Sequence, residues 1–341
     1  MGLTRSDLIL KYIVEYFIKN AQPIGSHTLI EEYHLPYSSA TIRNEMFALE
    51  KMGFIEKTHS SSGRVPSSKG YRYYCEHLRD RSVDESLKNS LQVVLEQKIQ
   101  SVEEVIKESC EILSHMTNLV SVVTGNSGNV ERLANVQLIQ ISENTLTAVF
   151  VTDKGYVENK TFIVPNTIKA NEVVDCVKIL NDRLKGTPVS DLVPKMEALK
   201  PVLSDYVVSH DIVYQALLET FIRFAGDRLS LYGREELFNQ PEFKNDAEKL
   251  QEVFKLLNDK SVFKEAGKKD EKVEIDIGET NPDVSMVTTK IKIGDGDESS
   301  ITLLGPTRMD YDKALSALEY IAEELNKYFD DLNKGGNNED A

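Results

Sequence analysis

The stretch YSSATIRNEM, residues 37–46, sets small hydroxyl residues ahead of Thr41, Arg43 and Asn44, with Ile42 and Met46 as its apolar positions. At helical spacing, Ile42, Met46 and Leu49 fall on one face. Arg43 and Asn44 then fall on the opposite face. Ser38 or Ser39 is placed to cap the helix. Gly53 supplies the stop near Met52.

Working upstream, Leu10, Ile13, Val14 and Phe17 recur at i, i+3, i+4 and i+7, which predicts a first helix. Pro23 and Gly25 end that pattern. Ser26 is positioned to cap a short second helix, HTLIEEYH (27–34). A turn, LPYS (35–38), follows, and its proline cannot sit inside a helix. Downstream the period changes. FIEK (54–57) and RVP (64–66) read as two strands around a Ser/Gly tip, and SKGYRYYCEHL (68–78) returns to helix. Three helices followed by a two-stranded flap predict a winged helix–turn–helix over residues 1–83.

The residue types suit DNA. A helix N-terminus with Ser38, Ser39 and Thr41 offers donors to phosphate oxygens. Arg43 can pair bidentately with guanine, and Asn44 with adenine. The flap tip carries small residues and cations, as a groove-entering loop requires. A plain solvated helix face and a Ser-rich linker are the bland alternatives. The order short helix, proline turn, helix, flap favours the DNA reading.

The charge distribution agrees. The chain has 341 residues and a net charge of −15. Residues 1–80 hold 10 Lys+Arg against 9 Asp+Glu, so the remainder carries −16. Residues 57–74 contain Lys57, Arg64, Lys69 and Arg72 and no acid. A near-neutral head on an acidic body suits a module that binds a polyanion while its body stays away.

Beyond residue 83, the pattern predicts one long amphipathic helix over 84–116 and a strand at NLVSVVTG (118–125). Three consecutive strands follow within residues 130–165, and then helices, the last of them DIVYQALLETFIRFAGDRLSLYG (211–233). A further helix (246–259) precedes three strand-like runs and a closing helix (310–332). Residues 336–341 are expected to be disordered.

Other chemistries fit poorly. Cys75, Cys110 and Cys176 are dispersed and odd in number, which suggests a reducing compartment and no structural zinc. GDGDESS (294–300) misses the calcium-loop positions for glycine and glutamate. No phosphate-binding or nucleophile-elbow motif occurs. The N-terminus lacks the form of a signal peptide, and no stretch has the length of a membrane span. These features predict a cytoplasmic non-enzyme without cofactor or metal.

The run PIGSHTLIEEYHLPYSSATIRNEMFALEKMGFIEKTHSSSGRVPSSKGYRYY (23–74) resembles the signature of the HrcA family of heat-inducible transcription repressors. VTDKGYVENK (151–160), LFNQPEF (237–243) and LLGPTRMDYDKALSALEYIAEEL (303–325) resemble later segments of the same family. The resemblance implies an α+β multidomain fold with three parts. They are the winged head (1–83), a GAF-like domain (84–129 and 226–335), and an inserted dimerisation domain of three strands plus helices (130–225). It implies a homodimer on double-stranded DNA carrying an inverted-repeat operator of CIRCE type, with activity modulated by the chaperonin GroEL. The DNA-binding role would fall on Ser38, Ser39, Thr41, Arg43 and Asn44 of the helix. In the flap it would fall on Lys57, His59, Ser60, Ser61, Arg64 and Lys69. A small-molecule-sensing GAF-type regulator is the alternative. It would need a polar pocket between residues 119–124 and the strands at 284–304.

Overall fold

The computed structural model describes residues 3–58, 63–97, 102–125, 131–143, 145–153, 155–163, 170–206, 214–215, 218–219, 221–222, 228–244, 246–266, 271–294 and 297–336. The first part of the chain runs α1 (Arg5–Asn20), α2 (Ser26–Tyr33), α3 (Ser39–Lys51), β1 (Ile55–Lys57), β2 (Arg64–Pro66) and α4 (Ser68–Tyr73), which continues into a π-helical turn. α5 (Glu85–Leu95), α6 (Val102–Thr117) and β3 (Val120–Gly125) follow. Next come β4 (Leu133–Ser142), β5 (Thr145–Thr152), β6 (Val157–Ile163), α7 (Ala170–Leu184) and α8 (Leu192–Tyr206). β7 (Arg228–Tyr232), α9 (Glu236–Asn239), α10 (Pro241–Lys244), α11 (Ala247–Asn258) and α12 (Lys260–Glu265) come after them. β8 (Val273–Ile277), β9 (Val284–Gly294), β10 (Asp297–Pro306) and α13 (Tyr311–Gly336) close the chain. Contacts divide it into two compact units, Met1–Thr124 with Leu229–Ala341, and Gly125–Arg228.

The first unit has a five-stranded sheet in the order β7-β3-β10-β9-β8, with β8, β9 and β10 antiparallel. Alternate residues feed two cores, as the two-residue period of strands requires. Val287, Ile291, Ile301 and Leu303 join α13 and α6 on one face, while Val120, Val122, Met286 and Leu304 meet Phe243, Val253, Leu257 and Phe263 on the other. The N-terminal helices share the first of these cores. Ile9, Leu10, Ile13 and Val14 of α1 pack with Leu29, Ile42, Met46 and Leu49.

In the second unit β4, β5 and β6 form an antiparallel meander. One face packs Val136, Leu146, Ala148 and Phe150 against Leu180, Leu184, Leu192 and Met196. Asn181 of α7 clamps β4 by accepting from the Val136 N–H at 2.7 Å and donating to its carbonyl at 2.5 Å. The other face carries Gln137, Val149 and Asn159 in one cross-strand row and Ile139, Thr147 and Thr161 in the next. Ile163 pairs with Thr145, and Val157 with Val151. Among the described strand residues that face holds no charged side chain, and Ile139, Val157 and Ile163 on it are exposed.

Three expectations need correction. The helix over 84–116 is two helices, α5 and α6, which pack on each other. The end of the helix expected at 211–233 is instead β7, because Arg228–Tyr232 pairs beside β3 at the sheet edge. Ser26 is the first residue of α2 and Gly25 its cap, with no side-chain cap bond. The tail expected to be disordered lies outside the described residues from 337 onward. Among the described residues, no helix is long and apolar enough to cross a membrane.

Candidate nucleic-acid interface

α3 forms because its N-cap, core face and stop agree. The Ser38 hydroxyl accepts from the Thr41 N–H at 3.1 Å, and Ile42, Met46 and Leu49 are buried. Gly53, at φ 78°, takes the left-handed conformation that ends the helix. Ser39 bonds Ser26 across the starts of the two helices at 3.0 Å, which fixes α2 against α3. Ser38 and Thr41 bond each other at 2.9 Å. These hydroxyls are thus already engaged in building the helix start.

Arg43 and Asn44 are exposed, as are Phe47 and Lys51 one and two turns further on. The acids of α3 are turned aside and paired. Glu45 accepts from Arg5 Nε at 2.7 Å and from the Ser6 hydroxyl at 2.5 Å. Those bonds, Ser6 first, hold the Glu45 carboxyl below its usual range. Glu50 accepts from Arg64 Nε at 3.0 Å and Nη2 at 2.7 Å. The outward stripe of α3 is therefore cationic.

The flap lies beside it. β1 and β2 pair antiparallel, with Lys57 opposite Arg64. Arg64 also bridges to Ile24 through two main-chain bonds of 2.9 and 3.0 Å, so the flap is tied to the α1–α2 connection. The Arg64 side chain points inward to Glu50, while Lys57 stays exposed. Lys69 donates to the Met52 carbonyl at 2.9 Å and stands 4.8 Å over the Phe54 ring. It thereby caps the C-terminal end of α3. His59, Ser60 and Ser61 lie outside the described residues. The structure thus places Arg43, Asn44 and Lys57 on open surface and uses Arg64 and Lys69 as props. Phe47 is the exposed residue that sequence reasoning passed over; its signal is an apolar side chain on the polar face of the helical wheel.

The head is fastened to the rest of its unit. The Tyr74 hydroxyl donates to Asp312 at 2.8 Å, and Arg72 pairs with Glu279. Arg79 donates from Nη2 to both Glu319 oxygens at 2.7 and 2.8 Å, and from Nη1 to Ser316 at 3.2 Å. The Arg308 guanidinium donates to the Ile18 carbonyl and to Glu242. Burial raises the Asp312 carboxyl above its usual range, and likewise that of Glu15. A cavity of about 390 Å³ opens at this joint, lined in part by Asp80, Asp84, Asp310 and Asp312.

A family model described as the HrcA protein C terminal domain matches residues 103–315. The chain is 35% identical over 336 residues to the heat-inducible transcription repressor HrcA of Halalkalibacterium halodurans, an alignment covering 96% of this chain and 98% of that one. It is 36% identical over 341 residues to the repressor of the same description from Bacillus pumilus, at 97% and 99% coverage. A crystal structure of a hypothetical protein shares the fold with a TM-score of 0.66 at 23% identity, covering 96% of this chain and 99% of that one. Relatives of this kind place the chain, with its cationic helix stripe, in the class of transcription repressors. The chain belongs to the HrcA family of heat-inducible transcription repressors.

Proposed function

We propose that the chain is a sequence-specific, dimeric DNA-binding repressor of heat-shock chaperone operons. In this reading α1–α3 with the β1–β2 flap form a winged helix–turn–helix, and α3 enters the major groove. The observation that carries it is the open, cationic stripe of α3, whose own two acids, Glu45 and Glu50, are tied off. Arg43 and Asn44 read base edges. Lys57 and the flap tip, which includes His59, Ser60 and Ser61, follow the backbone beside them. Ser38, Ser39 and Thr41 present the helix start to phosphate. Arg64 and Lys69 hold flap and helix in register and add positive potential.

One head offers too few contacts for operator affinity, whereas two heads on an inverted repeat suffice. The second unit supplies the pairing surface. Its uncharged sheet face, with Ile139, Val149, Val157 and Ile163, suits a second copy of itself across a twofold axis. The five-stranded part is read as GAF-like. A ligand-sensing role would need free polar groups on β3, β9 and β10. Instead Thr124 bonds Ser300 at 2.7 Å and Thr288 bonds Thr302 at 2.8 Å. The family resemblance supports a CIRCE-type operator, a cytoplasmic location, and dependence on GroEL to keep the repressor active.

The test is a gel shift of the full-length chain on the inverted repeat upstream of a chaperone operon, against a scrambled duplex, with and without GroEL. Binding confined to the repeat, raised by GroEL and weakened with salt by a log–log slope of roughly 0.9 per phosphate contact, is expected. Equal binding to both duplexes, or an Arg43→Ala variant that binds as tightly as wild type, refutes the reading.

A further inference from the structure

α3 buries three large apolar side chains, Ile42, Met46 and Leu49, and leaves a fourth, Phe47, 65% exposed and outside the core. A single surface aromatic is commonplace. The position of this one is not. At about 100° per residue, Phe47 projects between Arg43 and Asn44 around the helix axis. It stands about 6 Å further along than Arg43, and Lys51 stands about 6 Å beyond it. The ring is the centre of the stripe that has cations at either end. Such a setting repels an apolar protein partner and attracts a polyanion.

The chemistry of the ring limits what it can recognise. It has no donor and no acceptor, so it is blind to the hydrogen-bonding edges that Arg and Asn read. The major groove offers one apolar group on its base edges, the C5-methyl of thymine. We infer that Phe47 is a specificity-determining residue that packs its ring on a thymine methyl in each operator half-site. The inference rests on the reading of α3 as the groove-entering helix, and it adds a base to the code that Arg43 and Asn44 supply. Burying one methyl is worth about fourfold in affinity. Two symmetric half-sites make that about fifteenfold.

The test removes that methyl and nothing else. Each thymine of the operator is replaced in turn by deoxyuridine, symmetrically in both half-sites, and affinity is measured by fluorescence anisotropy with the full-length chain and GroEL present. Wild type is expected to lose about fifteenfold at one thymine pair and little elsewhere. Phe47→Ala should bind more weakly and should not distinguish thymine from deoxyuridine at that pair. Arg43→Ala should also bind more weakly yet keep the methyl penalty. Because Phe47 is exposed, Phe47→Ala should unfold at the wild-type temperature, which separates readout from folding. Phe47→Ala that keeps the full methyl penalty, or that binds like wild type, overturns the inference while leaving the groove-entering helix intact. If Arg43→Ala also binds like wild type, the reading of α3 itself has failed.

Discussion

The joint between head and body makes a demanding test, because one side chain carries much of it. Arg79 is 4% exposed and Glu319 28% exposed. Its Nη2 meets both Glu319 oxygens, Nη1 meets Ser316, and Nε donates to the Cys75 carbonyl at 3.1 Å. Replacing Arg79 with Met keeps most of the volume and removes every one of these bonds. Hydrogen bonds to charged groups contribute about 1.5–3 kcal/mol each when buried. Glu319 regains water on its open side, so the pair is discounted to about 2 kcal/mol. The Cys75 carbonyl, left without the guanidinium, and the Ser316 hydroxyl, left with only its 3.4 Å bond to the Asp80 carbonyl, add about 1 kcal/mol. A total of about 3 kcal/mol corresponds to a fall of about 6–12 °C in the melting midpoint of a unit this large. Circular dichroism melts of Arg79→Met and Glu319→Gln, alone and combined, measure it. The double variant should melt well above the sum of the single losses, since both remove one interaction. A loosened head should also bind operators whose half-site spacing is altered by a base pair or two, whereas wild type is expected to reject them. Strict additivity, or a midpoint shift under about 2 °C, refutes the account of a joint held by this pair.

Three further outcomes are expected. Gly70→Ala would drive its Cβ against the Phe54 carbonyl, whose carbon lies 3.0 Å away, so it should cost about 1–3 kcal/mol in urea melts and weaken operator binding through the displaced flap. Asp312 sits near Glu15, Asp80, Asp310 and Lys11 with its carboxyl raised by burial, so its stabilising contribution is full below pH 3.8 and is lost as pH rises through the raised value. Asp312→Asn should therefore raise the melting midpoint at pH 7 and give no gain below pH 3.8; a gain that is constant with pH counts against this. Ile139→Glu with Ile163→Glu places charge on the bare sheet face and should halve the mass in sedimentation equilibrium without lowering the content of secondary structure, and an unchanged mass refutes that face as the pairing surface.

The sequence displays what is local and hides what is not. α3 was legible in full because period, cap and stop coincide within Ser38–Gly53. The flap was legible because Phe54–Lys57 and Arg64–Pro66 bracket a tip of small residues. The break between α5 and α6 was not, since the chain between Glu96 and Val102 contains no glycine or proline and helix propensity alone would continue through it. β7 was read as helix because its strand state depends on β3, more than a hundred residues earlier. No local signal marks where the chain leaves the five-stranded sheet after β3 and rejoins it at β7. Within the interface, exposure of Arg43 and Asn44 followed from the wheel. The capture of Arg64 by Glu50 did not, because a cation in a flap tip looks the same whether it faces phosphate or a carboxylate fourteen residues earlier.

α1 is the element through which these parts act on one another. Its buried stripe packs on α3, and its N-terminal turn holds the same helix through Arg5, Ser6 and Glu45. Asp7 accepts from the Tyr73 hydroxyl at 2.9 Å, which joins α1 to the helix that follows the flap. Its far end gives the Ile18 carbonyl to Arg308, and Glu15 faces Asp312 across the joint. The helix proposed to read DNA is thus tied to the joint through α1, so a change in how α13 seats the joint would be felt at α3. In the proposed dimer, two such heads would meet an inverted repeat only at the spacing the joint permits. Any influence that loosens the joint, whether incomplete folding or ionisation of the buried Glu15 and Asp312 carboxyls, would on this reading change operator affinity without touching a base-reading residue.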